Sequence, residues 1–532
     1  MSMISQLGWM LASVTPVHVL LCGVVCLISW WWCRQSAAGL PPGPWGVPVL
    51  GLLPRVFLEQ RRGSHPHLLF TEYARHYGPI FSARIVNKTL VVLNDYDSVR
   101  QAFQNPNLSD RPPSTLIAEA MKSEGVAMAS GEPWKDLRRF CLTVLRSFGV
   151  GKSSFEEQIG AEGRALVQTM TSYGGHPFDP KYLIGNAVAN VICSVVLGKR
   201  YEYSDANFSY LMRVFHRIVN HVGSGGLLNA VPVMRVFTRN KADVYASFGE
   251  FRSFILSVVE SHRATLDPKN PRDFIDVFLN EIETNEKAMS NGTIQENGST
   301  STSGFVAKKS IPPNGLPRTH HPHLSDKRIV GTIGNLFAAG METTATTLLW
   351  ALLYMAAYPK IQERVQAEID AVVGRNRLPV MADKPELHFT QAVLLEVQRI
   401  AVVTPLGIPH AAASDTEVLG FKVPKGSLLV SNFWALFRDP NIWPEPDKFK
   451  PDRFLDKDGL AFKPEELIPF STGRRSCIGE HLAKMELFIF FSYFMHQFTF
   501  EKPDEAPPYT FEARVGLTHY PVPYQIRALQ RN

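Results

Sequence analysis

The string Phe470-Ser-Thr-Gly-Arg-Arg-Ser-Cys-Ile-Gly479 sets Cys477 between two glycines, just ahead of an apolar helical run from Leu482 to Phe494. A helix N-terminus offers free backbone N–H groups and the positive end of a dipole, and both favour an anionic sulfur. Arg474 and Arg475 add positive charge nearby, so Cys477 is placed to act as a thiolate, which can be a nucleophile or a metal ligand. These residues alone do not choose between the two, and a glycine-flanked cysteine before a helix also suits plain packing. A cysteine nucleophile needs a histidine base. The string offers none, and His481 is turned away by helix geometry. A second group is Ala339-Gly-Met-Glu-Thr-Thr344, where Ala339-Gly340 bares backbone for a close-lying ligand or a kink. Glu342 and Thr343 then supply an acid and a hydroxyl suited to proton relay through water, unless they form an ordinary solvated face. Glu396 and Arg399 are three apart and share one helical face, and Arg453 can complete an ion network with them. On a surface such a pair is worth only ~0.3–0.5 kcal/mol. The apolar setting AVLLEVQRIAVV points to burial instead. Trp134 and Arg138, four apart, also share a face.

Long helices must position these groups. From Ser325, a suitable N-cap, to Tyr358 before Pro359 the pattern predicts one helix of roughly 33 residues, ~50 Å, too polar at its ends to span a membrane and long enough to cross a large domain. Pro133 at a first-turn position opens a second helix, whose apolar residues recur from Trp134 to Phe148 until Gly149 stops it. A third starts near Thr390. Ile80–Ile85 and Leu90–Leu93 read as a hairpin around Asn87-Lys88, and Ser427–Asn432 as a strand after a Lys425-Gly426 turn. Between about 284 and 324 the chain is rich in Ser, Thr, Asn, Gly and Pro without periodicity, which predicts a surface loop. Its His320, His321 and His323 lack acidic or cysteine neighbours, so no metal is expected there.

The 532 residues carry 55 Lys+Arg against 49 Asp+Glu and are 45% hydrophobic, which excludes a disordered chain. A net charge of +6 without a basic block argues against nucleic acid. The six cysteines, Cys22, Cys26, Cys33, Cys141, Cys193 and Cys477, form no CxxC pair, so neither a zinc site nor a disulfide framework is expected. No charged residue precedes Arg34, and Leu7 to Cys33 is largely apolar, long enough as a helix to span hydrocarbon. Trp30, Trp31 and Trp32 close it as an interfacial belt, and residues 34–62 hold four Arg against one Glu, which keeps that side cytosolic. A cleaved signal peptide would need a basic start that is missing. Residues 1–33 are therefore expected to be a transmembrane anchor, 34–64 a proline-rich hinge and basic linker, and 65–532 one catalytic domain.

FSTGRRSCIG matches the haem-binding signature FxxGxRxCxG at Phe470, Gly473, Arg475, Cys477 and Gly479, and the chain resembles the cytochrome P450 monooxygenases. AGMETT, Glu396-Val-Gln-Arg399 and Pro451-Asp-Arg453-Phe454 follow the family's order, and the resemblance runs from the hinge to Gly516. Stretches such as NAVANVICSVVLGKRYEY look most like the vertebrate long-chain fatty-acid hydroxylases, with steroid and ecdysteroid hydroxylases less close. Only Asp452 departs from the usual Pro-Glu-Arg-Phe, and its side chain is not the network member. The resemblance implies a mainly α fold with small β-sheets, a single haem-thiolate domain behind an N-terminal transmembrane helix. It implies haem b (iron protoporphyrin IX), with Cys477 as the axial iron ligand in a loop shaped by Phe470, Gly473 and Gly479. Trp134, Arg138, His410 and Arg475 would bind the propionates, Glu342 and Thr343 would relay protons, and Glu396, Arg399 and Arg453 would fix the meander before the cysteine. By family position Leu116, Ile117, Phe337, Ala338, Thr404, Pro405, Leu406, Ile408 and Leu517 would line an apolar substrate pocket. Implied partners are O2, an NADPH-cytochrome reductase, a small haem electron carrier, membrane lipid and a lipophilic substrate. That substrate is a long-chain fatty acid, with a steroid, ecdysteroid or xenobiotic as alternatives, and the setting is the endoplasmic reticulum membrane with a cytosolic domain. A haem- or lipid-binding protein without turnover is the rival of another class, and the intact Glu342 and Thr343 count against it.

Overall fold

The computed structural model describes residues 15–36, 39–47, 49–112, 116–121, 125–149, 153–223, 241–290, 321–516 and 518–531. The start of the expected anchor (1–14), most of the expected loop (291–320) and Leu517 lie outside the described residues, as do the side chains of Leu116 and Ile117 on the short helix Leu116–Met121. Pro16 opens the first helix, Pro16–Ser36, so the proline that would have burdened a longer helix sits at its N-terminus. Its apolar part, Pro16–Trp30, is ~22 Å long at 1.5 Å per residue. That falls short of a ~30 Å hydrocarbon core. Among the described residues, the helix long and apolar enough to cross a membrane is Asp326–Ala357, and it is the core of the protein.

This central helix runs as expected, with Ser325 as N-cap residue and Tyr358 as C-cap. Every residue from Thr344 to Ala356 is buried. Burial on all sides explains why the stripe of a surface helix is missing from its sequence. It packs against Lys181–Val196, itself buried over most of its length, and against the C-terminal helix Glu480–Gln497. Trp350 is fully buried, yet its Nε1–H donates to the His519 carbonyl at 2.9 Å, so no indole hydrogen bond is lost. Gly340 serves this packing. A Cβ there would lie 3.2 Å from Ile192 Cδ1, so the bare backbone of Gly340 admits a neighbouring helix, while Ala339 beside it stays exposed.

A four-stranded sheet joins distant parts of the chain in the order Ile80–Ile85, Lys88–Leu93, Leu428–Ser431, His410–Ala411. The first pair is the expected hairpin, but its turn is Val86-Asn87, one residue earlier than expected, with Val86 at φ 55°. Lys88–Leu93 pairs in parallel with Leu428–Ser431, Leu90 facing Leu428 and Val92 facing Val430. Leu90–Leu93 and Leu428–Ser431 are buried at every residue, as a covered parallel pair requires. Asn432 Nδ2 clamps the junction by donating to Asn94 Oδ1 at 2.9 Å across 338 residues of sequence.

The expected loop is shorter at both ends. Helix Phe274–Ser290 continues past 284, and at the other end His321 is buried. Its Nδ1 meets Asp136 Oδ1 at 3.1 Å, its ring packs edge-on against Phe140, and its carbonyl accepts from Asn285 Nδ2 at 2.7 Å. The acidic partner missing from the local sequence comes from the helix Gly131–Ser147.

Candidate active site

Cys477 lies on the loop that leads into the C-terminal helix, whose N-cap is Gly479. The loop is held tightly. The Cys477 N–H donates to the Phe470 carbonyl at 2.9 Å, and Gly473 has φ 70° with the Phe103 carbonyl oxygen 2.1 Å from where a Cβ would stand. Only glycine fits there, because a side chain would meet both left-handed strain and a backbone clash. Gly479 is different: its φ is −93°, and a Cβ would sit 3.9 Å from the Cys477 sulfur, at ordinary contact distance. The thiol is accessible yet ringed by protein on most sides, unlike the buried Cys141 and Cys193. Burial pushes the Cys141 thiol up to about 12 and raises Cys193 further.

Burial also raises the Cys477 thiol, opposed by the Gly479 N–H and by Arg138. The sequence assigned the lowering to Arg474 and Arg475, and the geometry corrects this. Arg474 is exposed, and the Arg475 guanidinium is spent on carbonyls, donating to Ser109 at 2.7 Å and Ala129 at 2.6 Å while stacking 3.8 Å from the Trp134 ring centroid. Arg138 is the cation beside the cysteine loop, with Nη2 donating to Ser476 Oγ at 3.1 Å. The four residues Trp134, Arg138, His410 and Arg475 do gather on this side, and a fifth joins them that the sequence did not reveal. Arg111 is buried and donates to the carbonyls of Ile408 at 2.8 Å and Pro409 at 2.9 Å, tying the His410 segment to the rest. Its sequence neighbours carry no sign of this, since these two carbonyls are nearly 300 residues away.

None of Arg111, Arg138 and Arg475 forms an ion pair with a carboxylate among the described residues. Burial holds all three guanidinium groups below their ordinary range, and Arg111 and Arg138 depress Arg475 further. Buried cations without counter-ions are costly. A dianionic ligand edge such as a pair of carboxylates would relieve that cost, so the donor set would fit the propionates of a haem held beside Cys477. His410 completes the set. Its ring stacks on Phe103 at 4.0 Å, and because Nδ1 faces the Leu108 carbonyl at 2.8 Å, it must carry the hydrogen there. Burial and Arg111 hold the imidazole neutral, well below 6.5.

On the central helix Glu342 and Thr343 diverge. Thr343, half-buried, donates to the Ala339 carbonyl at 2.8 Å and shares a face with Ala339, which is exposed in the middle of a core helix, and Ala338 beside it is half-buried. Glu342 is buried, accepts from Thr518 Oγ1 at 2.9 Å, and is raised by burial. Phe337 is packed between Phe215 (5.4 Å) and Phe251 (5.8 Å), a wall and not an open lining. Thr404 is half-buried, Pro405 buried, Leu406 packed beneath the sheet, and Ile408 open.

Behind this face Glu486 of the C-terminal helix is fully buried against Thr344, and burial pushes its carboxyl up to about 8. Its protonated form is favoured by folding. That contribution is fully present below the unfolded value of 4.5, declines as pH rises, and is gone once pH passes 8. Glu486→Gln, neutral throughout, should gain on the parent chain between those limits by up to about 1.4 kcal/mol per pH unit. Urea unfolding of both chains from pH 5 to 9 measures this, and parallel curves would refute it.

The buried network is complete. Arg399 makes a two-pronged pair with Glu396 at 2.7 and 2.8 Å, and Arg453 meets Glu396 at 3.2 Å. Arg399 Nη1 further donates to the carbonyls of Phe437 and Pro446, both at 2.8 Å, so the network pins the meander that leads to the cysteine loop.

The family model for cytochrome P450 matches residues 41–304 and 314–528. The chain is 37% identical to cytochrome P450 2U1 of Homo sapiens, across 96% of this chain and 93% of that one. It is 36% identical to cytochrome P450 2J2 of Homo sapiens (93% and 92%) and 35% identical to cytochrome P450 2J1 of Oryctolagus cuniculus (98% and 97%). Members of this family bind haem b through a cysteine thiolate. The chain belongs to the cytochrome P450 family and is a haem-dependent monooxygenase.

Proposed function

We propose that this monooxygenase hydroxylates a long-chain fatty acid at a membrane, with Cys477 as the axial ligand of its haem. The observation that carries the site assignment is the accessible thiol of Cys477 on a rigid loop beside the half-buried Arg138, with the buried Arg111 and Arg475 on the same side and none of the three paired with a carboxylate among the described residues. When bound, the haem supplies oxygen insertion into a C–H bond, and thiolate ligation favours O–O cleavage. Trp134, Arg138, His410 and Arg475 hold and orient its carboxylate edge. Thr343 and Glu342 handle the protons. Ala338, Ile408 and Thr404, with Leu116, Ile117, Pro405, Leu406 and Leu517, form the substrate pocket, and Phe337 backs it. An apolar pocket suits a lipophilic substrate, and the fatty-acid reading rests on the subfamily resemblance of stretches such as Asn186–Tyr203.

Residues 1–33 act as the anchor, and the exposed apolar residues Trp45, Val47, Val49, Leu50, Phe57 and Leu58, with Arg55, Arg61 and Arg62 among them, lie against the lipid beside it. An NADPH-cytochrome reductase in the same membrane supplies electrons, with a small haem electron carrier as a second donor. The test is a spectral titration of the full chain in lipid vesicles with long-chain fatty acids, sterols and ecdysteroids, followed by product analysis with reductase and NADPH. Fatty acids should shift the haem spectrum and yield hydroxylated product, whereas turnover of sterols alone would replace the substrate assignment. The same chain from eukaryotic microsomes should carry no glycan at Asn291 or Asn297, and glycan there would reverse the orientation.

A further inference from the structure

The helix Gly131–Ser147 is gripped on the side away from Trp134 and Arg138. At 3.6 residues per turn those two share one face, while Asp136 and Phe140, also four apart, lie ~200° around the helix axis from them. Asp136 and Phe140 both meet one residue, His321. The His321 Nδ1 lies 3.1 Å from Asp136 Oδ1, and because an ionised carboxylate only accepts, Nδ1 carries the hydrogen. Asp136 Oδ2 accepts in turn from the His323 N–H at 3.2 Å, so both carboxylate oxygens are bound to one short segment. Phe140 stands edge-on to the imidazole, with ring centroids 5.5 Å apart. Asp136 is 6% exposed and His321 2%, so solvent does not weaken the pair. Burial raises the Asp136 carboxyl, yet its two partners outweigh that and hold the group below its ordinary range.

The grip is itself anchored on two other helices. On Phe274–Ser290, Asn285 Nδ2 donates to the His321 carbonyl at 2.7 Å and Glu281 Oε1 accepts from the His321 N–H at 3.2 Å. In the first turn of the central helix, Arg328 Nη1 donates to the His323 carbonyl at 3.0 Å. We propose that Asp136 and His321 are positioning residues for haem, which fix the rotation of their helix so that Trp134 and Arg138 meet the carboxylate edge. The proposal rests on the reading of Trp134 and Arg138 as propionate partners. Apolar packing is non-directional and lets a helix turn, whereas a carboxylate bound at both oxygens defines its angle. The working face has little slack, since the Trp134 ring lies under the Arg475 guanidinium at 3.8 Å and Arg138 donates to Ser476 Oγ at 3.1 Å. A misplacement of about 1 Å loosens such a site, and a group that orients a binding residue matters nearly as much as that residue.

The test uses the full-length holoenzyme. Asp136→Asn and His321→Leu should each shift the haem propionate bending bands of the resonance Raman spectrum and speed haem release to a scavenger protein by on the order of 10-fold, the lower end of what loss of an orienting partner costs at metal sites. The reduced carbon monoxide band should keep its position, because the cysteine is not touched. His321→Asn retains an N–H donor in place of Nδ1 and should restore both readouts. Asp136→Asn should add little to Arg138→Ala, since it acts through that residue. Asp273→Asn is the control for stability alone. It breaks an equally buried pair, Asp273 with His262 at 2.7 Å, and should lower the urea midpoint without moving the propionate bands. If Arg138→Ala moves the bands while Asp136→Asn and His321→Leu move them no more than Asp273→Asn does, the positioning role is refuted and the propionate reading stands. If Arg138→Ala changes neither the bands nor haem release, the propionate reading itself fails.

Discussion

Replacing Cys477 by alanine should yield a folded chain that lacks the strongly red-shifted band of the reduced, carbon monoxide-bound protein and forms no product. The chemistry and the fold separate at this residue because its sulfur is accessible and adds little packing, while its backbone N–H still donates to Phe470. Far-UV circular dichroism should therefore be unchanged. Cys141→Ala and Cys193→Ala provide the contrast. Those thiols are buried, so each substitution should keep the band and lose about 1 kcal/mol of stability through packing. Survival of the band in Cys477→Ala, or its loss in either of the others, would remove Cys477 from the iron.

Arg399→Ala should cost about 3–5 kcal/mol of stability, because it leaves the Glu396 carboxylate buried without its two-pronged partner. It also strands the carbonyls of Phe437 and Pro446, which a lysine in the same place could not both reach while pairing with Glu396. Arg399→Lys should accordingly fail to rescue. The loss should appear as a lower urea midpoint and as haem released on gel filtration, since the pinned meander leads directly to the cysteine loop. A stability within about 1 kcal/mol of the parent chain would show that the meander holds itself.

Chemistry carried by local spacing was legible in the sequence, and chemistry assembled from distant segments was not. The Gly473 to Gly479 loop could be read because much of its pattern lies within ten residues, two glycines, a cysteine and a helix start, although the Phe103 carbonyl that bars a side chain at Gly473 comes from far away in the sequence. The central helix could be read because its caps and length are local. Arg111 could not, because nothing near it says that carbonyls from 408 and 409 will enclose it. His321 was assigned to a free loop for the same reason, its aspartate being 185 residues earlier. Ala339-Gly340 was read as room for a ligand or a kink, and the sequence could not show that Ile192 of another helix approaches Gly340. The hairpin turn moved by one residue because Asn87 drew it forward, whereas the register of the two strands places Val86 at the positive φ.

The parallel pairing of Lys88–Leu93 with Leu428–Ser431, clamped by Asn94 and Asn432, also sets a clock during synthesis. With 338 residues between the two asparagines and elongation at ~5–20 residues per second, the first hairpin waits roughly 17 to 70 seconds for its neighbour. For that time one apolar strand keeps an unpaired edge, a template for joining any other nascent chain nearby. The ribosome thus delivers the cysteine loop, at residues 470–479, only after the strand that closes the sheet. The interval before the sheet closes is therefore when this strand edge most needs a chaperone's cover.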